Sequence, residues 1–547
     1  CRNEGEDARL YEGVKAASDF AIALGINIPT GKDSLSMTQR YPDNTKVLSP
    51  GTVIITAAAE VSSIRSVIKP VIQPEFTSTL IYLDFSSSPL KTGGSSLAQV
   101  LGSLGDEAPS VDPQYFVKAF GAVQHLISQG VVLAGHDISS GGMITTLLEM
   151  FFAQPGIGLD AEFDDFGESD IIKLLFNENP GVVLQVNDLD FTAVYLLESG
   201  LNFKILGKPS FRRYITLRYN NGTTELNIDK LRKLWYKTSY LLDRKQSGED
   251  MASKRYANFE VQPLSFDFGE EFTGEFRQFA IDPVRTEPTG IKAAIIREKG
   301  VNGDREMAWS LHLAGFDVKD VHMTDLVSGR ETLEDVNMIV FVGGFSNSDV
   351  LGSAKGWAGA FLYNAKARHA LENFYKRSDT LSLGVCNGCQ LMVELNLIYP
   401  EHQDRPSMMH NQSGKFESGF INVDILENRT VMLGNLSGKR LGIWVAHGEG
   451  RFRMPMEEEN YNIPVKYSYG EYPGNPNGSD FNAAAIASAD GRHLAIMPHL
   501  ERAIYPWNWA VYPNGRQSDE VSPWIEAFTN ARHWIENAAG KGSGIAE

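Results

Sequence analysis

Cysteine is scarce, with three residues in a chain of 547. That is too few for a disulfide framework and points to a reducing compartment, expected to be the cytoplasm. Basic charge is also short: 50 Lys and Arg stand against 68 Asp and Glu, a net charge of −18. Without a basic footprint, neither nucleic acid nor an anionic membrane is expected as a partner. No apolar run approaches the roughly 18 residues of a membrane span. The opening CRNEGEDARLYEGV is charged where a secretory signal would be apolar. An initiating Met is missing too, and Cys1 already stands inside an amphipathic pattern, which suggests a piece of something longer.

What is present reads as globular, with 42% hydrophobic and 22% charged residues. At about 150 residues per domain the length predicts three or four domains. In the first 230 residues, DARLYEGVKAASDFAIALG sets Leu10, Val14, Ala17 and Phe20 on one helical face. GTVIITAAAEV, STLIYLDF and NPGVVLQV read as strands, and DPQYFVKAFGAVQHLISQG and GGMITTLLEMFFAQPG as helices. The mixture predicts an α+β region with subdomains at 1–110 and 111–230. Residues 231–290 are polar and weakly periodic, a connector long enough to wrap on its neighbours. Residues 291–547 change character. KAAIIRE, DVKDVHM and VNMIVFVGG are strands, and the first two flank a helix with Asp304 as N-cap, Met307, Leu311 and Ala314 inward, and Gly315 as stop. This spacing predicts a doubly wound, parallel α/β sheet. Ligands in such sheets sit past the strand carboxyl ends, here in GGFSNSD and CNGCQ.

The stretch LSLGVCNGCQLMVEL holds Cys386 and Cys389. A zinc site would need two more ligands, and no second C-x-x-C or spaced Cys/His pair exists. A redox pair would lack the flanking glycines. A nucleophile elbow fits: Gly384 and Gly388 flank Cys386 at a strand-to-helix turn, and the helix N-terminus favours a thiolate. The N–H of Asn387 is then placed for an oxyanion, with Gly344 of the GG pair as second donor. A thiol nucleophile needs a base. The hairpin AAAIASADGRHLAIMPHLER turns at Asp490-Gly491 and delivers His499 to a strand end. Glu501, two residues on, falls on the same side of an extended segment and can fix the imidazole tautomer.

GVCNGCQ, GGFS and MPHLER together resemble a triad-type (class I) glutamine amidotransferase domain. HNQSGKFES, WVAHGEGRF and NPNGSDFNAAAI narrow the resemblance to the large single-chain phosphoribosylformylglycinamidine synthase family of purine biosynthesis. Upstream, GEDARLYEGVKA, ALGINIPTGKDSLSM, GGSSLAQVLGSLGDE and AGHDISSGGMITTLLEMFFA resemble the second half of that family's synthetase region, related to aminoimidazole ribonucleotide synthetase. The resemblance implies Cys386 as thioester-forming nucleophile, His499 as base, Glu501 as orienter and Gln390 as a glutamine contact. It implies Asp137 for magnesium and Ser139 for nucleotide, in an ATP/ADP and Mg²⁺ site whose other ligands lie upstream of Cys1. The implied partners are glutamine, formylglycinamide ribonucleotide and an N-terminal half of the same enzyme. Leu500 and Lys415 stand where the family often has Pro and Arg. On the residues alone, Asp137 and Ser139 in GHDISSGG favour an N-cap over a phosphate–magnesium contact, and only the resemblance reverses that. Lys32, Asp33 and Ser34 divide between anion contact and turn, and KTGGSSLAQV between phosphate cradle and cap. MEEEN reads as a solvated acidic face. The rival readings are a glutaminase or γ-glutamyl cysteine hydrolase of another pathway and, for residues 1–230, a scaffold that holds a nucleotide without catalysis.

Overall fold

The computed structural model describes residues 4–32, 37–49 and 51–542. Cys1, Asp33 and Ser34 lie outside the described residues. The chain divides into two units, Cys1–Tyr236 and Lys237–Glu547.

In the first unit, helix α1 (Glu6–Leu24) forms where the apolar spacing predicts it and stops at Gly25 in the left-handed conformation, but buries no side chain. Strands β1 (Thr38–Arg40) and β2 (Lys46–Leu48) make a small ladder. GTVIITAAAEV, expected as a strand, has no ladder partner among the described residues, and Val53, Ile54 and Ile55 are exposed. Alternation gives a segment the capacity to pair; only a neighbouring strand makes it a strand.

A seven-stranded sheet follows. Its strands are β3 (Thr79–Asp84), β4 (Val132–Asp137), β5 (Gly158–Glu162), β6 (Gly181–Val186), β7 (Phe203–Ser210), β8 (Tyr214–Tyr219) and β9 (Gly222–Asn227), in the order β4-β6-β3-β7-β5-β8-β9. All neighbours are antiparallel except β5 and β8. Between them run α2 (Ser96–Val100), α3 (Pro113–Ser128), α4 (Gly142–Phe152), α5 (Ile171–Phe176) and α6 (Leu189–Glu198). The period of two along β3 explains the layering. Leu80 and Tyr82 enter a core with Ile144, Leu147 and Phe151 of α4, while Ile81 and Leu83 enter one with Ala122 and Leu126 of α3. The division expected near Ser110 falls inside this sheet, because β3 before it is paired on both edges by β6 and β7 after it.

The expected connector is helical in its first half. Helices α7 (Ile228–Gln246) and α8 (Gly248–Asn258) fill its first half, and α8 buries Met251 and Ala252. The polar faces of these helices dilute the apolar spacing that would have marked them.

The second unit is built on a nine-stranded sheet of order β11-β10-β12-β13-β20-β19-β18-β15-β16. The strands are β10 (Lys292–Arg297), β11 (Asp317–His322), β12 (Met338–Phe341), β13 (Leu381–Val385), β15 (Glu417–Ile425), β16 (Arg440–His447), β18 (Asn462–Tyr467), β19 (Ala483–Ala487) and β20 (His493–Ile496); β14 (Ser407–Met409) and β17 (Arg451–Arg453) pair separately. From β11 to β20 the ladder is parallel, as expected, and the continuously buried runs of β12 and β13 are the mark of strands covered on both faces. From β20 to β16 it is antiparallel; the β19–β20 hairpin was expected, and the extension through β18, β15 and β16 was not. The helices are α9 (Asp304–Leu313), α10 (Met323–Ser328), α11 (Lys355–Tyr363), α12 (Ala365–Lys376), α13 (Asn387–Glu394) and α14 (Ile525–Gly542). Asp304 is the first residue of α9 and not its cap, which is Gly303. Met307, Leu311 and Ala314 are buried as expected. The register aligns Phe341 with Gly384, and Val385 with Ile496. Three strands therefore end side by side, each followed by a segment singled out above.

Candidate active site

Cys386 stands between β13 and α13 with φ 52° and ψ −106°, a left-handed conformation that a non-glycine residue holds at a cost of about 1–3 kcal/mol. Its neighbours explain why the bend survives. A methyl group at Gly388 would stand 1.9 Å from Phe341 O, and one at Gly384 would stand 2.5 Å from Gly388 O. Only glycines let strand and helix approach this closely. The Cys386 N–H donates to Ile496 O at 2.9 Å, and its thiol, 6% exposed, faces Ala446 O at 3.5 Å.

His499 follows β20 and is buried. Its N–H donates to Trp444 O, and its Nδ1–H donates to Glu501 Oε1 at 2.6 Å. Glu501 is equally buried, in a 3₁₀ turn (Leu500–Arg502) and not the extended segment expected. The contact forms nonetheless. The His499 ring and Cys386 both border Gly343, where an added methyl group would stand 2.7 Å from His499 Cε1 and 3.4 Å from Cys386 Cβ. Burial by itself pushes the imidazole down, but the charges of Glu501 and Cys386 outweigh it and raise His499 to about 10. The arrangement therefore favours an imidazolium at neutral pH. Cys389, by contrast, is fully buried, and burial pushes its thiol well up. It is the inert neighbour, not a redox partner.

Of the two expected oxyanion donors, Asn387 follows Cys386 directly, and Gly344 follows Gly343, where an added methyl group would stand 3.4 Å from Cys386 Cβ. Asn387 is the first residue of α13, so its N–H has no partner within the helix. Gly344 has φ 139°; the pairing of its segment with residues 300–302 runs through Asn302 N–H to Gly343 O and Phe345 N–H to Gly300 O, which leaves the Gly344 N–H outside that ladder. The Asn387 side chain joins the two loops: its Oδ1 accepts from Ser346 N–H at 3.2 Å and its Nδ2 donates to Gln390 Oε1 at 3.0 Å. Gln390, 4% exposed, donates from Nε2 to Glu449 O at 2.9 Å.

Two features escaped the sequence reading. One is Gly343, where a methyl group would stand 2.7 Å from His499 Cε1 and 3.4 Å from Cys386 Cβ. The other is the end of β16 and the turn beyond it, in WVAHGEGRF, whose backbone carbonyls touch all three partners: Trp444 O the His499 N–H, Ala446 O the Cys386 thiol, Glu449 O the Gln390 amide. The closely spaced Gly448 and Gly450 were the available signal. His447 in this turn is buried, and burial, with the neighbouring His499 charge, holds it down at about 4.

In the first unit, Asp137 ends β4 and Ser139 follows it. Both are exposed, and the Asp137 carboxylate pairs with His136 at 3.2 Å. No group of three or more metal-ligating side chains exists among the described residues. One exposed carboxylate is too small a donor set for magnesium, so these residues do not by themselves fit the metal–nucleotide group expected of them. Lys32 is exposed.

Family models match along both units. Residues 290–535 match the CobB/CobQ-like glutamine amidotransferase domain. Residues 80–208 match the C-terminal domain of AIR synthase related proteins, and residues 1–60 the FGAR-AT PurM_N-like domain. The chain is similar, over nearly all its length, to part of phosphoribosylformylglycinamidine synthase. It shares 39% identity with the human protein of that name over 97% of this chain and 42% of that one. With the Arabidopsis thaliana protein named as a probable, chloroplastic/mitochondrial form it shares 37% over 98% of this chain and 39% of that one. The Dictyostelium discoideum synthase shares 35%, over 98% and 43%. The chain thus spans about two fifths of the length of these relatives.

Proposed function

We propose that the second unit hydrolyses glutamine to glutamate and ammonia through a γ-glutamyl thioester on Cys386. The observation that carries this reading is the buried, strained elbow at Cys386, with the hydrogen-bonded His499–Glu501 pair buried across Gly343 from it. The thiolate attacks the side-chain carbonyl carbon, and the C–S bond forms as the carbonyl π pair moves to oxygen, where the N–H groups of Asn387 and Gly344 receive it. When the tetrahedral adduct collapses, the C–N bond breaks and the His499 imidazolium gives its proton to the leaving nitrogen, releasing ammonia. Water, deprotonated by the now neutral His499, then attacks the thioester and returns glutamate and the thiolate. Glu501 holds the ring so that one nitrogen faces the sulfur throughout.

In the longer protein, the ammonia serves an ATP-dependent conversion of formylglycinamide ribonucleotide to formylglycinamidine ribonucleotide, a carbon–nitrogen ligation with glutamine as amido donor. The first unit contributes to that synthetase part, with Asp137 and Ser139 supplying a fraction of a site for magnesium and ATP or ADP that other segments complete. A cytoplasmic location belongs to the same reading; no helix among the described residues is long and apolar enough to cross a membrane. The test is glutamate release from glutamine by the chain and by Cys386→Ala. The reading requires release by the first and none by the second; equal release by both overturns it.

A further inference from the structure

The turn His447–Gly450 presents the Glu449 carbonyl to Gln390 but is held from outside. Asn411, 3% exposed, grips it at three points: Nδ2 donates to His447 O at 2.7 Å, the backbone N–H to Gly448 O at 2.9 Å, and Oδ1 accepts from Gly450 N–H at 3.1 Å. The same Nδ2 reaches Lys415 O at 3.0 Å. A few residues on, this segment enters an ion cluster with α7 and α8. Lys415 Nζ lies 3.1 Å from Asp243 Oδ1, Arg255 Nη1 2.9 Å from Asp243 Oδ2, and Arg255 Nη2 3.0 Å from Glu417 Oε2. Ser247 donates to Asp243, Tyr472 to Glu417, and the Arg255 guanidinium lies 4.7 Å from the centre of the Tyr472 ring. Asp243 and Glu417 are both buried.

Two buried carboxylates are a costly way to hold helices against a sheet, since apolar contacts of the same size do it at less expense of desolvation. What charge pairing adds is one fixed arrangement of partners. Here it fixes the 411–417 segment at the end opposite Asn411, so that helices ahead of the sheet set the place of the turn that meets Gln390. We propose that Arg255 and Asp243 are positioning residues for the glutamine site, acting through the 411–417 segment and Asn411. This rests on the glutaminase reading above.

The test is alkylation of Cys386 by iodoacetamide, a small neutral reagent, with glutamine added as protectant to the chain, to Arg255→Met, to Asn411→Ala and to the double variant. Arg255→Met should raise the glutamine midpoint roughly three- to thirtyfold and leave the glutamine-free alkylation rate nearly unchanged. Asn411→Ala should raise the midpoint at least as much, and the double variant should match Asn411→Ala alone, because residues on one route do not act additively. An unchanged midpoint in Arg255→Met, midpoint shifts that multiply, or a parallel loss of the glutamine-free rate overturns the proposal. Should Arg255→Met not fold, Lys415→Met carries the same expectations. If glutamine does not protect the unaltered chain, the glutaminase reading falls and this proposal with it. If glutamine protects the chain and the variant alike, only the positioning role falls.

Discussion

Gly343→Ala isolates one contact. Gly343 does not adopt a left-handed φ, so alanine is tolerated by the backbone, and the added methyl has nothing to do but meet the triad. It would stand 2.7 Å from His499 Cε1 and 3.4 Å from Cys386 Cβ. Carbon atoms in contact settle at about 3.5–4.0 Å, so the ring or the loop must yield by about 1 Å. The ring has little room to yield: it is buried, tied through Nδ1 to Glu501 and through its backbone to Trp444. Overpacking of this kind costs about 1–3 kcal/mol of stability. A displacement of about 1 Å at a reacting group costs on the order of 100-fold in rate. The assay is kcat/KM for glutamate release, with urea denaturation to follow stability. The expected variant folds with a modest loss and turns over about 100-fold more slowly. Activity close to that of the unaltered chain would refute the packing argument. Gly344→Ala is the control with a different failure: at φ 139° and 2.5 Å from Val301 Cα it should lose far more stability.

Glu501→Gln keeps the volume and removes the charge that holds His499 up, so glutamate release should fall about 10²–10⁴-fold. His499 is raised from 6.5 to about 10, so the stability it contributes is complete below 6.5 and is lost as pH climbs towards 10; urea midpoints between pH 8 and 10 read this loss, and Glu501→Gln should flatten it. The sign is opposite for His447 and His493, both lowered to about 4, chiefly by burial. The unfolded chain binds their protons first, so stability drops between pH 6.5 and 4 by up to about 3 kcal/mol for each, and His493→Gln should reduce that slope. Cys389→Ala should leave selective labelling of Cys386 intact and cost roughly 1 kcal/mol for a small cavity; loss of labelling would reinstate a paired role for the two sulfurs.

What the sequence made legible was local. Gly384, Cys386 and Gly388 declare a strand-to-helix bend because the constraint lies within five residues, and Asp490-Gly491 declares a hairpin for the same reason. His499 and Glu501 were placed together by their spacing, although the backbone between them is a 3₁₀ turn. What stayed hidden was decided through space. Gly343 and Gly344 are indistinguishable in sequence until His499 packs against the first and Val301 against the second. The carbonyls of Trp444, Ala446 and Glu449 act through backbone atoms that every residue has, so no side-chain pattern announces them. The antiparallel half of the sheet depends on β15, β16 and β18 meeting across long loops. GTVIITAAAEV shows the converse, a strand-like pattern without a strand beside it among the described residues.

The most direct test of the central claim is mass analysis of the chain quenched in acid during glutamine turnover. A γ-glutamyl adduct confined to the peptide that carries Cys386 is the predicted result. Glutamate released with no adduct there, or an adduct on another residue, would contradict it.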